Sequence, residues 1–370
     1  MKAAYAGVAG RAAWLIWSTP MISITRRSAI ALAAARALGG PFAATTSAAA
    51  QGTTPIRFTL DWKYQGIHAF VFWAKDKGYF DAEGLNVTID QGEGSAATIT
   101  RIASGAYDAG FGDMNAAINL AGKQPGVEPL MVYMVYDSAP FALITKASGP
   151  IKTLKDIEGR ILGYPAGGAA GALFPALAKL NGVDASKVKI TNMSPPLQEQ
   201  MMLRGDVDIS AVFTVTSYIN LIGQKVDPDK DIRWFYYSSY GVNPYSNGIM
   251  VSRKLASDNP KAVTGLVRAL NRALIEVAAD PDAGIALVLK QEPLLNAALE
   301  KQRLLYMYKT HIVTPETDKS GIGDVTDPRM AETIKLNVDT FNLPNTPTMT
   351  DVFSRAFLPP KSDRMIKLAT

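Results

Sequence analysis

Leu60-Asp61-Trp62, then His68-Ala69, then Ala74-Lys75-Asp76-Lys77-Gly78-Tyr79-Phe80-Asp81-Ala82-Glu83-Gly84-Leu85 is the stretch that sets the architecture of this 370-residue chain. It reads as a strand, a loop, a helix, a tight turn and a second strand at Asn86–Asp90. The first strand, Ile56–Leu60, delivers Asp61 and Trp62 at its carboxyl end. Open α/β sheets form their ligand crevice outside the carboxyl ends of the strands. Asp61 and Trp62 are therefore the first site candidates.

The same alternation continues outward. Apolar strands are expected at Val87–Ile89, Ala109–Gly112 and Leu130–Tyr136. A second set is expected at Arg160–Gly163, Val188–Thr191, Ile209–Phe213 and Ile232–Tyr237. Helices fall between them, as at Ala96–Ala103 and Gln198–Leu203, which argues for an α/β chain with helices on both sheet faces. About 320 residues remain after the N-terminal segment, enough for two lobes rather than one core. An internal echo supports this. Arg101 to Asp108 leads into Ala109–Asp113, and Gln200 to Asp208 leads into Ile209–Thr214. Both are helix, glycine, acid, then apolar strand, and glycine after a helix fits a left-handed C-cap. The lobes are expected to be joined twice, at Phe141–Lys146 and at Asn247–Ser252. A short helix follows the first joint, with Thr153 as its N-cap. Helical patterns then dominate, at Pro260–Ala279, Pro281–Lys290, Leu294–Thr310 and Pro328–Phe341, and are expected to brace the first lobe. Gly321–Asp324 reads as a loop.

The turn Lys77-Gly78-Tyr79-Phe80-x-x-Glu83-Gly84-Leu85 after the first helix resembles the solute-binding proteins of bacterial ABC importers. The importers in question carry thiamine pyrimidine precursors, alkanesulfonates, taurine and nitrate. The resemblance runs from about Ile56 to about Pro360. It implies a two-lobe periplasmic-binding-protein fold of type II-like form, each lobe a mixed sheet flanked by helices, with two crossover strands. The implied division is 51–143 plus 247–370 for the first lobe and 144–246 for the second.

Residues 1–50 read as an export signal. Arg26-Arg27 precedes the alanine-rich run Ala29–Leu38, and Ser47-Ala48-Ala49-Ala50 offers an Ala-x-Ala cleavage site. Paired arginines before a weakly apolar run fit a twin-arginine signal, with an ordinary Sec signal as the alternative. Met21 stands just before this segment, so Met1–Pro20 reads as an over-extended start. The segment also explains the charge. The chain has 38 Lys+Arg against 33 Asp+Glu. Residues 1–50 hold five bases and no acid, so the remainder is balanced. Overall charge gives no support to nucleic-acid binding. There is no cysteine, hence no disulfide, thiolate metal site, cysteine nucleophile or lipoprotein anchor. The expectation is a soluble periplasmic protein without a lipid anchor.

Candidate binding residues lie on loops at strand ends. Gly92–Ala96, with Gly94 and Ser95 at its centre, ends a strand and opens a helix, where backbone N–H groups can take an anionic or carbonyl oxygen. Tyr164–Gly171 does the same in the second lobe, through Gly167, Gly168, Ala169 and Ala170. A glycine turn is equally a loop that needs positive φ. Trp62 offers a stacking face worth about 0.5–1.5 kcal/mol beyond its buried area, or else a core aromatic. Asp113 and Asn115 follow the third strand, Asn115 reading also as a helix cap. Phe213, Thr214 and Tyr245 come from the far lobe. His68 is one of two histidines; a lone histidine without ligand spacing is more often structural.

The pocket loops hold Asp61, Glu93, Asp113 and Asp137 but little basic charge. That favours a neutral or amino-bearing heteroaromatic over an anion. Taken with that chemistry, the resemblance implies a carrier, not an enzyme: the substrate-binding component of an ABC importer, closing by hinge motion on a small pyrimidine-like solute. It would deliver that solute to ABC permease and ATPase subunits, with no cofactor, metal or nucleic acid. The alternatives are the same role for a sulfonate, taurine, nitrate or aromatic carboxylate, and an enzyme of pyrimidine biosynthesis on the same scaffold. Related fungal enzymes use a cysteine-rich motif that this chain lacks.

Overall fold

The computed structural model describes Thr53–Leu368; the export segment, its paired arginines and Met21 lie outside the described residues. Among the described residues, ten strands form two five-stranded sheets. The first holds β1 (Thr54–Thr59), β2 (Leu85–Asp90), β3 (Ala109–Asp113), β4 (Leu130–Met134) and β10 (Asn247–Val251). The second holds β5 (Phe141–Lys146), β6 (Ile161–Tyr164), β7 (Lys189–Asn192), β8 (Ile209–Phe213) and β9 (Ile232–Tyr236). The orders are β2-β1-β3-β10-β4 and β7-β6-β8-β5-β9. β1 is parallel to β2 and β3, and β6 is parallel to β7 and β8. The next strand in each sheet, β10 or β5, is antiparallel to both neighbours. The two sheets therefore share one topology, and each is completed by the strand that follows a crossing from the other.

The echo in the sequence is this shared topology. Helix Ser95–Ala103 leads through Gly105 (φ +75°) to β3, and helix Gln198–Arg204 leads through Gly205 (φ +89°) to β8. Asp108 accepts from the Arg57 amide of β1 (2.9 Å), and Asp208 accepts from the Ile161 amide of β6 (2.8 Å). In both halves the acid pins the incoming strand to its parallel neighbour.

The stretch that opened the reading is fixed by packing. Helix Ala69–Asp76 is buried on nearly every side, against helices Pro260–Ala279 and Pro281–Gln291. Its indole Trp73 Nε1 donates to Glu276 (2.8 Å), which also accepts from the Tyr79 hydroxyl. The Arg272 guanidinium lies 4.0 Å from the Tyr79 ring centre. Gly78 stands at φ +69° between helix and turn, where a side chain would be strained.

Two expectations change. β4 stops at Met134, not Tyr136, because the amides of Val135 and Tyr136 leave the ladder and donate to the Asn247 carbonyl (3.0 and 2.7 Å). The segments 135–140 and 241–246 thus run side by side as the paired connections between sheets. Second, the helix expected at Leu294–Thr310 is Ala297–Met307, capped by Asn296 and continued by a π-turn, Tyr308–Ile312. It does not brace the first lobe alone. Buried Arg303 donates to the carbonyls of Val215 (3.1 Å) and Thr216 (2.6 Å) in helix Thr214–Gly223 beside the second sheet. Its partner Glu300 accepts from the Gly66 amide (2.6 Å) beside the first. Arg329, on helix Asp327–Phe341, pairs with Asp137 (3.2 Å) and Glu316 (3.3 Å) and lies 4.2 Å from the Tyr245 ring centre. One guanidinium therefore holds both connections.

Candidate functional site

The carboxyl ends of β1 and β8 face one cavity with about 530 Å³ of empty space, counting its mouth. From the first sheet it is lined by Asp61, Trp62, Ile67, Gly94 and Ser95. From the second it is lined by Pro165, Gly168, Ala170, Gly171, Gln198, Ala211, Phe213 and Thr216. Asp61 is the only charged side chain in this lining. The structure thus brings seven of the expected residues to one cavity: Asp61, Trp62, Gly94, Ser95, Gly168, Ala170 and Phe213.

Asp61 is held rigidly. Its Oδ2 accepts from Asn247 Nδ2 (2.7 Å) and its Oδ1 lies 3.0 Å from His68 Nε2. The Gln65 amide donates to His68 Nδ1 (3.2 Å), so that nitrogen carries no proton and Nε2–H donates to Asp61. His68 is fully buried behind the carboxylate and does not line the cavity. Its role is to aim Asp61. The loop above is fitted to the same residue. The Gly94 amide donates to the Asp61 carbonyl and the Gly92 amide to the Trp62 carbonyl, both 2.8 Å. A Cβ on Gly92 would come within 2.1 Å of the Leu60 carbonyl oxygen.

The anion cradle expected at Gly92–Ala96 is largely spent on the protein itself. Gly92 and Gly94 donate to the backbone as described, and the Ala96 amide donates to the Gly167 carbonyl (3.2 Å). That last bond joins the two loops across the cavity mouth. Thr216 Oγ1 also donates to Gln65 Oε1 (3.3 Å), again between the two sides. Gly167 (φ +77°) contributes this carbonyl rather than a wall. In the second loop the amides of Ala169–Gly171 open a single helical turn and have no partner within it. Ala169 is buried beneath that turn.

Four expected contacts lie elsewhere. Asp113 is fully buried as an N-cap. Its Oδ1 accepts from the amides of Asn115 (3.0 Å) and Ala116 (3.2 Å), and its Oδ2 from Ser246 Oγ (2.8 Å). Burial pushes its carboxyl up to about 6. Asn115 donates to the Tyr245 carbonyl (2.8 Å) and accepts from Asn337. Thr214 turns away to His311 Nε2 (2.9 Å). His311 donates from Nδ1 to the Ser138 carbonyl (3.0 Å), and burial lowers it to about 4. The Tyr245 hydroxyl pairs with Glu316 behind the connections, where burial raises its pKa. These four fasten the connections between the sheets rather than the cavity.

Sequence reasoning missed Gln198 and Thr216. Gln198 opens the helix after Pro195-Pro196, and its Nε2 donates to the Pro195 carbonyl (3.2 Å). Thr216 sits in the first turn of the helix after β8. Both follow from the echo, since they belong to helices that flank β8 as their counterparts flank β3. Among the described residues, no group of three or more His, Asp or Glu side chains is arranged to hold a metal.

A family model described as "NMT1/THI5 like" matches residues 65–284. A protein of Chloroflexus aurantiacus named riboflavin-binding protein RibY is 26% identical over 272 residues, covering 71% of this chain and 76% of that relative. A 4-amino-5-hydroxymethyl-2-methylpyrimidine phosphate synthase of Aspergillus parasiticus is 24% identical over 260 residues, covering 68% and 74%. Among solved structures, the alkanesulfonate-binding protein SsuA of Xanthomonas axonopodis pv. citri, bound to MOPS, matches with a TM-score of 0.61 at 15% identity. It covers 83% of this chain and 100% of that one. The fold is the two-lobe periplasmic-binding-protein fold, as expected. The expectation that the chain is no enzyme is corrected: relatives over two thirds of its length are named as synthases, beside one named as a binding protein.

Proposed function

The chain belongs to the NMT1/THI5-like family, and we propose that it is the periplasmic solute-binding component of an ABC importer. Its ligand is a planar heteroaromatic that carries an amino group. The observation that supports this reading is the chemistry of the cavity wall: one carboxylate, Asp61, beside the aromatic faces of Trp62 and Phe213, and no Lys, Arg or His. An amino group gains a charge-assisted hydrogen bond from Asp61, about 1.5–3 kcal/mol. A sulfonate or nitrate meets a buried negative charge instead. The ring stacks on Trp62, and the free amides of the Ala169 turn face its acceptor atoms. The loops meet across the mouth through Ala96 and Gly167, the contact expected of lobes closed on a solute, which is then presented to membrane permease and ATPase subunits. Among the described residues no helix is long and apolar enough to cross a membrane.

Titration calorimetry tests the ligand class. The probes are 4-amino-5-hydroxymethyl-2-methylpyrimidine, riboflavin and an alkanesulfonate. The aminopyrimidine is expected to saturate the protein and the sulfonate to leave it unoccupied; the reverse order sinks the reading. A second reading, synthesis of the pyrimidine phosphate, draws on the names of the relatives and on the Asp61–His68 pair beside the cavity. Mass spectrometry for pyrimidine phosphate released by the purified protein tests it.

A further inference from the structure

The cavity carboxylate is one end of a buried polar chain that passes through the second connection. Asn247 Nδ2 donates to Asp61 Oδ2 (2.7 Å). Ser246 Oγ lies 3.1 Å from Asn247 Oδ1 and 2.8 Å from Asp113 Oδ2. Asp61 is 5% exposed and the other three are at 0%. Ser246 has one hydroxyl proton and two acceptors within reach, so it serves one at a time. While Asp113 is ionised, the nearer and charged acceptor takes that proton, and Asn247 Oδ1 receives nothing from Ser246. Once Asp113 is protonated, its own O–H needs an acceptor, and Ser246 Oγ stands at 2.8 Å. Ser246 then turns its hydrogen to Asn247 Oδ1.

We propose that Ser246 and Asn247 are positioning residues that carry the protonation state of Asp113 to the Asp61 acceptor in the cavity. The proposal rests on the cavity being the ligand site. Hydrogen bonds in such a chain polarise one another. A proton on Asp113 therefore tightens the grip of Asn247 on Asp61 and removes a second buried negative charge. Both changes make Asp61 a weaker acceptor for a ligand amino group, so affinity falls as Asp113 is protonated.

The surroundings make Asp113 the switch. Burial places its midpoint at about 6. The helix it caps faces it with Asn115 and the Ala116 amide, and the second connection faces it with Ser246. Helix Asp327–Phe341 reaches it through Asn337 and Asn115. None of these is charged. The nearest titratable groups along the chain are Asp61 and, beyond it, His68. On the far side the Tyr245 phenol is occupied by Glu316.

The direct test follows the side-chain amide of Asn247 by ¹⁵N–¹H NMR in the ligand-free protein across the titration of Asp113. The amide signals are expected to move with the Asp113 midpoint in the wild type and to stay fixed in Ser246→Ala and in Asp113→Asn. Asparagine keeps the N-cap, so the second variant retains the helix. Ser246→Thr, which keeps a hydroxyl, should restore the movement. An amide that is flat in the wild type, or that moves equally in both variants, overturns the relay. The second arm measures aminopyrimidine affinity well above and well below that midpoint. The ligand's own protonation is common to all proteins, so the comparison isolates the chain. The wild type should lose about fivefold more affinity on acidification than Ser246→Ala, at the low end of ordinary coupling between sites. Equal losses overturn the positioning role. If the wild type fails to bind the aminopyrimidine at high pH, the ligand reading falls, and the amide titration still decides the relay.

Discussion

Replacing Asp61 by asparagine separates what this residue does for the fold from what it does for a ligand. Two donors converge on the carboxylate, His68 Nε2 at 3.0 Å and Asn247 Nδ2 at 2.7 Å. An asparagine offers one oxygen and one NH2, so one donor must face another donor. Neither neighbour can adapt cheaply while Asp113 is protonated. Moving the His68 proton to Nδ1 breaks the bond from the Gln65 amide, and turning Asn247 over breaks the bond that Ser246 then gives it. While Asp113 is ionised, Ser246 donates there instead and can accept from a turned Asn247. A buried donor left unsatisfied costs about 1–3 kcal/mol, roughly 2–6 °C in the melting midpoint of a domain this size. The double variant Asp61→Asn with Asn247→Asp reverses this. The residue 61 amide then donates to the new carboxylate, its oxygen accepts from His68, and Ser246 still has an acceptor. Thermal unfolding of the four proteins below the Asp113 midpoint should show the single variant destabilised and the double variant largely recovered. The negative charge has meanwhile left the cavity wall. Affinity for the aminopyrimidine should fall roughly tenfold or more in both variants, the worth of one charge-assisted bond. Full stability of the single variant under those conditions would refute the two-donor clamp. Full affinity of the double variant would refute the use of Asp61 charge in binding.

Gly92→Ala should be among the most damaging single-methyl changes, because its Cβ would overlap the Leu60 carbonyl at 2.1 Å, and both partners are backbone. A loss of about 3 kcal/mol or more is expected in urea unfolding, and a neutral result would show that the loop does not sit on the β1 end. Trp62→Ala removes the half-buried aromatic wall while leaving the core, so calorimetry should show roughly a fivefold to tenfold weaker aromatic ligand and near-normal unfolding; unchanged affinity places the ring elsewhere. Stability against pH should reveal two opposed groups. His311 is held down to about 4 from 6.5, so the unfolded chain takes its proton first and stability is lost as pH falls from 6.5 towards 4. Asp113 is pushed up from 3.8 to about 6, so the folded chain takes its proton first and stability is gained over nearly the same fall. Each amounts to on the order of 3 kcal/mol and they nearly cancel. Asp113→Asn removes one side, and its unfolding free energy should drop more steeply than that of the wild type below pH 6; parallel curves would show that Asp113 does not titrate there.

The strands were legible because most are short apolar runs, three of them in the first sheet ending at or near an acid, at Asp61, Asp90 and Asp113, and both sheets follow from one pattern written twice. Asp108 and Asp208 show how literal the repeat is, each bonding the same amide position of its own parallel neighbour. Asp61 and Trp62 were legible because a strand's carboxyl end leaves little choice of direction. Asp113 was misplaced for the same reason. An acid between strand and helix is as much an N-cap as a ligand contact, and the residue type does not say which way the carboxylate turns. Tyr245 and Thr214 stand at equally suggestive positions, yet Glu316 and His311, remote in sequence, draw them away from the cavity. The link between Asp61 and Asp113 lay further out of reach. It exists because β10 returns antiparallel beside β3 and sets Asn247 opposite Asp113. That register places Ser246 against Asp113 and aims the Asn247 amide at Asp61. Those contacts join residues far apart in the chain, and only the strand order brings them together. A sequence that shows where each strand ends can therefore name the wall of the site, while the groups that hold the wall in place appear only once the crossing strand has found its partner.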